Sequence, residues 1–261
     1  TVLGAIVGHP ERELEVLESA TDEDRKWLGT LLEANFCTVE LAEGVDNLYI
    51  EITATTDEHT AVVRIENAHT NITYVSIDGN VISETINEIK EAESSTCPMT
   101  FDSIYEFAKA GDISGILPSI KQQVEYNTAI SNEGLSNDYG ANIGRLLLLD
   151  DETPSLETKC KARAAAGSDA RMSGCPLPVV ICSGSGNQGL TVSMPIITTA
   201  EELGKTDEEL YRALVFANLL TLYVKSGIGK LSAYCGVVSA GIVSVAGIAF
   251  LKGDSKDIIE D

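Results

Sequence analysis

The sequence is short of basic residues. Among 261 residues, 18 Lys and Arg face 40 Asp and Glu, a formal net charge of −22. That argues against nucleic acid as a partner, because phosphates call for a basic surface. It argues equally against docking on an anionic membrane. No CxxC pair occurs among the six cysteines, Cys37, Cys97, Cys160, Cys175, Cys182 and Cys235. Zinc-ligand spacing is therefore absent, and a chain of this length folds without disulfides. The expectation is a reduced, cytoplasmic protein with mostly buried thiols. No internal repeat or low-complexity stretch is present, and no basic segment marks a signal peptide. The chain opens without Met, on the apolar run Thr1 to Gly8, which reads as the inside of an element and suggests a piece of a longer protein.

Hydrophobic residues make up 44% of the chain, enough to fill a core and exclude global disorder. The acidity is uneven. Residues 1–112 hold 23 acids against 6 bases, a net of −17, and the remainder has a net of −5. Two units follow from that shift: an acidic α+β unit over 1–100 and a helical domain over 101–261. Residues 11–33 read as two short helices, the second capped by Thr21. Residues 36–83 alternate, with strand-like runs at Thr38–Leu41, Leu48–Ile52, Ala61–Ile65 and Ile72–Ile77 separated by turn signals. This predicts a small antiparallel sheet with one wet face. Beyond residue 84 the period is helical, with helices expected near 103–109, 113–130, 143–149, 156–166, 190–203 and 207–226. Pro176–Ile181 reads as a brief extended run. Leu231–Leu251 carries no charge and is long enough to span a bilayer. It has no aromatic belt and no companion segment, which favours a buried central helix of a bundle. The fold class expected is α+β.

Residues 182–189, Cys-Ser-Gly-Ser-Gly-Asn-Gln-Gly, satisfy GxGxxG literally. A dinucleotide fold would need a parallel strand with an acid about 20 residues further on. The chain there reads as helix, so a dinucleotide-dependent oxidoreductase stands only as an alternative. The physics of the loop is more general. Glycines at a helix start leave backbone N–H groups pointing at an anion. Ser183, Ser185, Asn187 and Gln188 add side-chain donors beside Gly186 and Gly189, a set sized for a small carboxylate.

Several strings then carry a resemblance. They are Ala68-His69-Thr70-Asn71-Ile72, Glu133-Gly134-Leu135-Ser136 with Tyr139-Gly140-Ala141-Asn142-Ile143-Gly144, and Ser168-Asp169-Ala170-Arg171-Met172. Two more are Gly184 to Leu190 with Met194-Pro195, and Leu231-Ser232-Ala233-Tyr234-Cys235-Gly236. In this order they resemble the L-cysteine desulfidases and the serine dehydratase alpha-subunit-like proteins. The resemblance implies a lyase of amino-acid catabolism with a 4Fe–4S cluster held by three cysteines, the fourth iron position open to substrate. It would make Cys235 one metal ligand. The family's other two ligand strings, one near its N-terminus and one beyond the apolar helix, have no counterpart here, so the cluster is expected only in a full-length protein.

Elimination of hydrogen sulfide or water from L-cysteine or L-serine would give aminoacrylate, then pyruvate and ammonia. An iron with one site free of cysteine could act as a Lewis acid on the β-substituent. The glycine loop would hold the α-carboxylate, with Arg171 or Arg163 assisting. His69 is the candidate proton carrier, although a lone histidine at a turn is more often structural. Thr70, Asn71, Ser168 and Asp169 complete the candidate substrate shell. Asp169 and Arg171 read equally well as a helix-terminal ion pair, and Cys235 alone as a buried small hydrophobe. The partner expected is a small amino acid, with no nucleic acid and no membrane; self-assembly is left open. A non-catalytic carboxylate-binding module is the other alternative.

Overall fold

The computed structural model describes residues 1–261 except 10, 13–15, 18, 47, 68–70, 86–98, 150–151, 229–234 and 261. By internal packing the chain divides into two units, Thr1–Ser95 and Thr96–Asp261.

The first unit opens with helix α1 (Val2–Val7) and helix α2 (Asp22–Glu33). Thr21 starts α2 through a reciprocal capping box. Its Oγ1 accepts from the Asp24 N–H, and its own N–H donates to the Asp24 carboxylate at 2.8 Å. Four strands then form an antiparallel meander in the order β1 (Tyr49–Thr55), β2 (Thr60–Glu66), β3 (Ile72–Ile77) and β4 (Asn80–Glu84). Glu51 pairs across the ladder with Arg64, and Arg64 with Tyr74. The Arg64 guanidinium bonds Glu51 at 2.8 Å and covers the Tyr74 ring at 5.2 Å. That bond holds the Glu51 carboxyl below its ordinary range.

The expected strand at Thr38–Leu41 does not form; its residues lie irregular and exposed. The fourth strand is Asn80–Glu84 instead. Asp78 and Gly79 both take positive φ, 52° and 77°, the two-residue turn that returns a chain antiparallel beside itself. Thr38–Leu41 has strand-forming residues but no such turn to give it a neighbour. The first of the two helices expected over 11–33 falls partly outside the described residues, and α2 is the second.

The second unit is helical: α3 (Phe101–Ala110), α4 (Leu117–Ser136), α5 (Ile143–Leu149), α6 (Leu156–Met172), α7 (Gly186–Leu203), α8 (Asp207–Ser226), α9 (Val237–Lys252) and α10 (Lys256–Glu260). Its centre is α6, which packs against α4, α5 and α7. Ala162, Ala166 and Ala170 on α6 are fully buried, and glycines on the neighbours meet them. A Cβ on Gly134 would lie 2.1 Å from the Ala166 carbonyl oxygen, and one on Gly144 would lie 2.3 Å from that of Ala162. Around α7 and α8, Leu190, Ile196, Leu214 and Phe216 fill the core, and the Phe216 and Phe250 rings stack at 4.8 Å.

The apolar segment behaves differently from expectation. Helix α9 buries Ala240, Val243, Gly247 and Leu251, but Val238, Ile242 and Val245 stand exposed along its other side. It packs on α7 and α8, and those two helices cover only part of its circumference. None of the described helices is long and apolar enough to cross a membrane.

Close approach at Gly134 sets a clear expectation. Gly134→Ala places a methyl against backbone that cannot rotate away, and should cost about 1–3 kcal/mol in urea unfolding. Gly241→Ala, in the α9 interior with open space beside it, should raise stability by about 0.5–1 kcal/mol. Equal effects of the two would contradict this account of the packing.

Candidate functional site

The glycine loop lies wholly in the second unit. Cys182 and Ser185 exchange both backbone hydrogen bonds, at 3.1 and 3.2 Å, around a two-residue turn. Ser183 and Gly184 occupy that turn with φ of 48° and 83°. The turn delivers Ser185 as the N-cap of α7, its Oγ accepting from the Gln188 N–H at 3.4 Å. The extended run before the loop forms no strand among the described residues. A single side chain holds it instead. Asn127 on α4, fully buried, accepts from the Val180 N–H at 2.9 Å and donates to the Val180 carbonyl at 3.3 Å. It thereby pairs with Val180 as a neighbouring strand would. The same amide donates to Ser193 Oγ at 3.0 Å, and Ser193 donates to the Gly189 carbonyl at 2.8 Å. One amide thus ties together both arms of the loop. Sequence reading missed Asn127; the available signal was a polar Gln123, Asn127, Ser131 stripe at helical spacing.

Arg171, in the last turn of α6, reaches the start of α7. A Cβ on Gly186 would fall 2.2 Å from Arg171 Nε, and Arg171 Nη1 donates to Asn187 Oδ1 at 3.2 Å. The first turn of a helix carries N–H groups without intrahelical partners and the positive end of the dipole. A guanidinium there is a second positive charge, and Arg171 has no carboxylate partner among the described residues. Arg163, the other arginine considered, is paired with Glu201. The two positive features at the α7 start therefore lack a counter-charge.

The remaining candidates divide. Asp169 does not ion-pair with Arg171. Its Oδ2 accepts from the Ile143 N–H at 2.9 Å at the start of α5, so it holds that helix. Ser168 is half-buried on α6. Asn71 belongs to the first unit, where its side chain donates to the Glu66 carbonyl at 2.8 Å. His69 and Thr70 lie outside the described residues. Cys235 stands before α9 rather than inside it, exposed, one residue ahead of the N-cap Gly236. A Cβ on Gly236 would lie 1.9 Å from Gln188 Oε1. The glycine loop and the Cys235 turn therefore meet through Gln188.

The donor set can be tested against a three-cysteine cluster. Among the described residues no three His, Cys, Asp or Glu come together to hold a metal. Cys160 and Cys182 are buried, and burial pushes the Cys182 thiol up to about 11, against the thiolate a metal needs. The described residues do not make the set, and Cys235 stands exposed apart from the two buried thiols. The dinucleotide alternative also fails on geometry. Residues 207–226 form α8 where a parallel strand is required, and the described sheet is antiparallel and belongs to the first unit.

The loop clamp yields a prediction. Asn127→Leu leaves the Val180 N–H and carbonyl without their partner, and should cost about 2–4 kcal/mol in denaturant unfolding. Hydrogen exchange at Val180, whose N–H donates to Asn127, should quicken. Unchanged protection there would show that the loop does not depend on Asn127.

Comparison with known proteins agrees with the residue reading. A UPF0597 protein of Finegoldia magna is 44% identical over 263 residues, covering 100% of this chain and 62% of that protein. UPF0597 proteins of Lachnoclostridium phytofermentans and Desulfitobacterium hafniense are each 42% identical, over 99% of this chain and 62% and 60% of their own lengths. The chain thus spans about three fifths of these relatives. No solved structure matches. The profile of the serine dehydratase alpha chain matches residues 11–261, and the chain belongs to that family.

Proposed function

We propose that the intact protein is a lyase that removes the β-substituent of L-serine or L-cysteine. The observation that carries the reading is the uncompensated positive charge at the start of α7, where Arg171 sits on Gly186 in a member of the serine dehydratase alpha chain family. A small α-carboxylate suits that place in charge and size. It would accept from the first-turn N–H groups and from the guanidinium, which Asn187 steadies.

With the carboxylate fixed, the Cα proton passes to a base and the Cα–H electron pair forms the Cα–Cβ double bond. The β-oxygen or sulfur leaves with a proton as water or hydrogen sulfide. The resulting 2-aminoacrylate tautomerises to the imine, and water hydrolyses it to pyruvate and ammonia. His69 is the proposed proton carrier. Cofactor dependence forms part of the same proposal: Cys235 would be one thiolate of an iron–sulfur cluster, with the remaining ligands supplied from outside this chain. The described residues do not make that set.

The intact protein, purified without oxygen, is expected to contain iron and sulfide and to form pyruvate from L-serine or L-cysteine. Binding of either amino acid without turnover would favour the carboxylate-binding module instead. Cys235→Ala should lose the iron; full iron content in that variant removes Cys235 from the ligands. Arg171→Met should raise KM for the amino acid at least tenfold, and an unchanged KM would remove the carboxylate from this site.

A further inference from the structure

The Gln188 side chain is 1% exposed, and among the described residues neither its Oε1 nor its Nε2 has a hydrogen-bond partner. A buried amide left unpaired costs stability, and such groups are few in folded proteins. Gln188 is not remote from chemistry. It is the third residue of α7, inside the glycine loop, and its Oε1 faces Gly236, the N-cap of α9. The amide therefore lies where two long helices start, on the residue two positions after Gly186, against which Arg171 packs. A methionine would fill nearly the same volume there without orphaned polar atoms.

We propose that Gln188 is a specificity-determining residue that recognises the 2-amino group of the ligand held at the glycine loop. This rests on the carboxylate reading above and deepens it. An amide offers an acceptor and two donors on one rigid plane. Its Nε2 donates to the carboxylate, and its Oε1 accepts from the ammonium on the adjacent carbon. Neither backbone N–H groups nor a guanidinium can accept a hydrogen bond, so those groups alone hold a carboxylate without distinguishing a 2-amino acid from a 2-hydroxy acid, and the Asn187 and Ser185 oxygens already accept from Arg171 and the Gln188 N–H. Gln188 supplies the missing acceptor. Gly236 covers the amide in the absence of ligand, and the Cys235–Gly236 turn, exposed at Cys235, gives way on binding. The absence of a side chain at Gly236 is what leaves the amide room.

The test measures binding and stability in the cofactor-free intact protein. Calorimetric titration with L-serine, and with glycerate in which a hydroxyl replaces the amino group, is set beside the thermal midpoint. The wild type should bind L-serine at least tenfold more tightly than glycerate. Gln188→Met should abolish that preference, weaken L-serine at least tenfold and leave the midpoint equal or higher, since it removes unpaired polar atoms. Gly236→Ala, whose methyl drives the amide aside, should lose the preference with the amide still present. A Gln188→Met protein that keeps the preference overturns the proposal, as does one whose midpoint falls by several degrees with binding intact. Should Arg171→Met lose L-serine while Gln188→Met retains it, the carboxylate reading stands and this inference alone falls. Absence of L-serine binding in the wild type overturns both.

Discussion

The helical unit depends on how closely helices can approach α6. Packing at ordinary side-chain distance would hold α4 and α5 well away from it. Gly134 and Gly144 remove that spacing, so backbone rests on backbone at the Ala166 and Ala162 carbonyls. The buried alanines of α6 are the complement of those glycines. The consequence reaches the loop, because α6 ends at Arg171 and α4 carries Asn127. Drawing α4 and α7 against α6 is what brings the Asn127 amide to Val180 and the Arg171 guanidinium to Gly186. Loop geometry is thus set by small residues in the interior as much as by the glycines of the loop itself.

Much of the helical unit is legible along the chain. Apolar spacing places α8 and the end of α7 at their observed bounds, because both are marked by local signals: Thr206 with Glu209 starts α8 by a capping box, and Gly204 ends α7 in the left-handed conformation with φ of 61°. Strands are less legible. Alternation marks both Thr38–Leu41 and Ile72–Ile77, but only the latter has partners. Pairing is non-local, so a run that looks like a strand becomes one only when a turn or a neighbour supplies the ladder. Asp78-Gly79 was such a turn, and it made Asn80–Glu84 the strand.

The candidate site divides along the same line. Arg171 and the glycine loop are visible as a charged residue and a glycine pattern. The roles of Asp169, Asn127 and Gln188 are not, because each depends on which backbone group lies opposite. Asp169 reads as a substrate or ion-pair residue until the Ile143 N–H is found against its carboxylate. Asn127 reads as a helix-interior amide until Val180 is found beside it. The apolar run ending at Leu251 misleads for a related reason. Uniform apolarity says that a helix wants cover on every side, but not that the cover lies within this stretch of chain. The relatives are longer than this chain by about two fifths of their own length, and the side of α9 bearing Val238, Ile242 and Val245 is bare.

Charge explains why an acidic chain can hold an anion. Of the net −22, residues 113–261 carry only −5, and many of their carboxylates are already spent on fixed partners. Glu201 takes Arg163, Glu202 takes Lys159 at 2.8 Å, and Asp169 takes a helix start. A carboxylate with a donor already bound projects less negative potential than a bare one. Arg171 is the exception on α6, set against an amide oxygen and not an acid. A phosphate dianion would ask for more than one unpaired guanidinium beside two helix starts. A monoanionic carboxylate asks for about that much, and the unpaired Gln188 amide in the same loop has the acceptor that the ammonium of an amino-acid zwitterion needs.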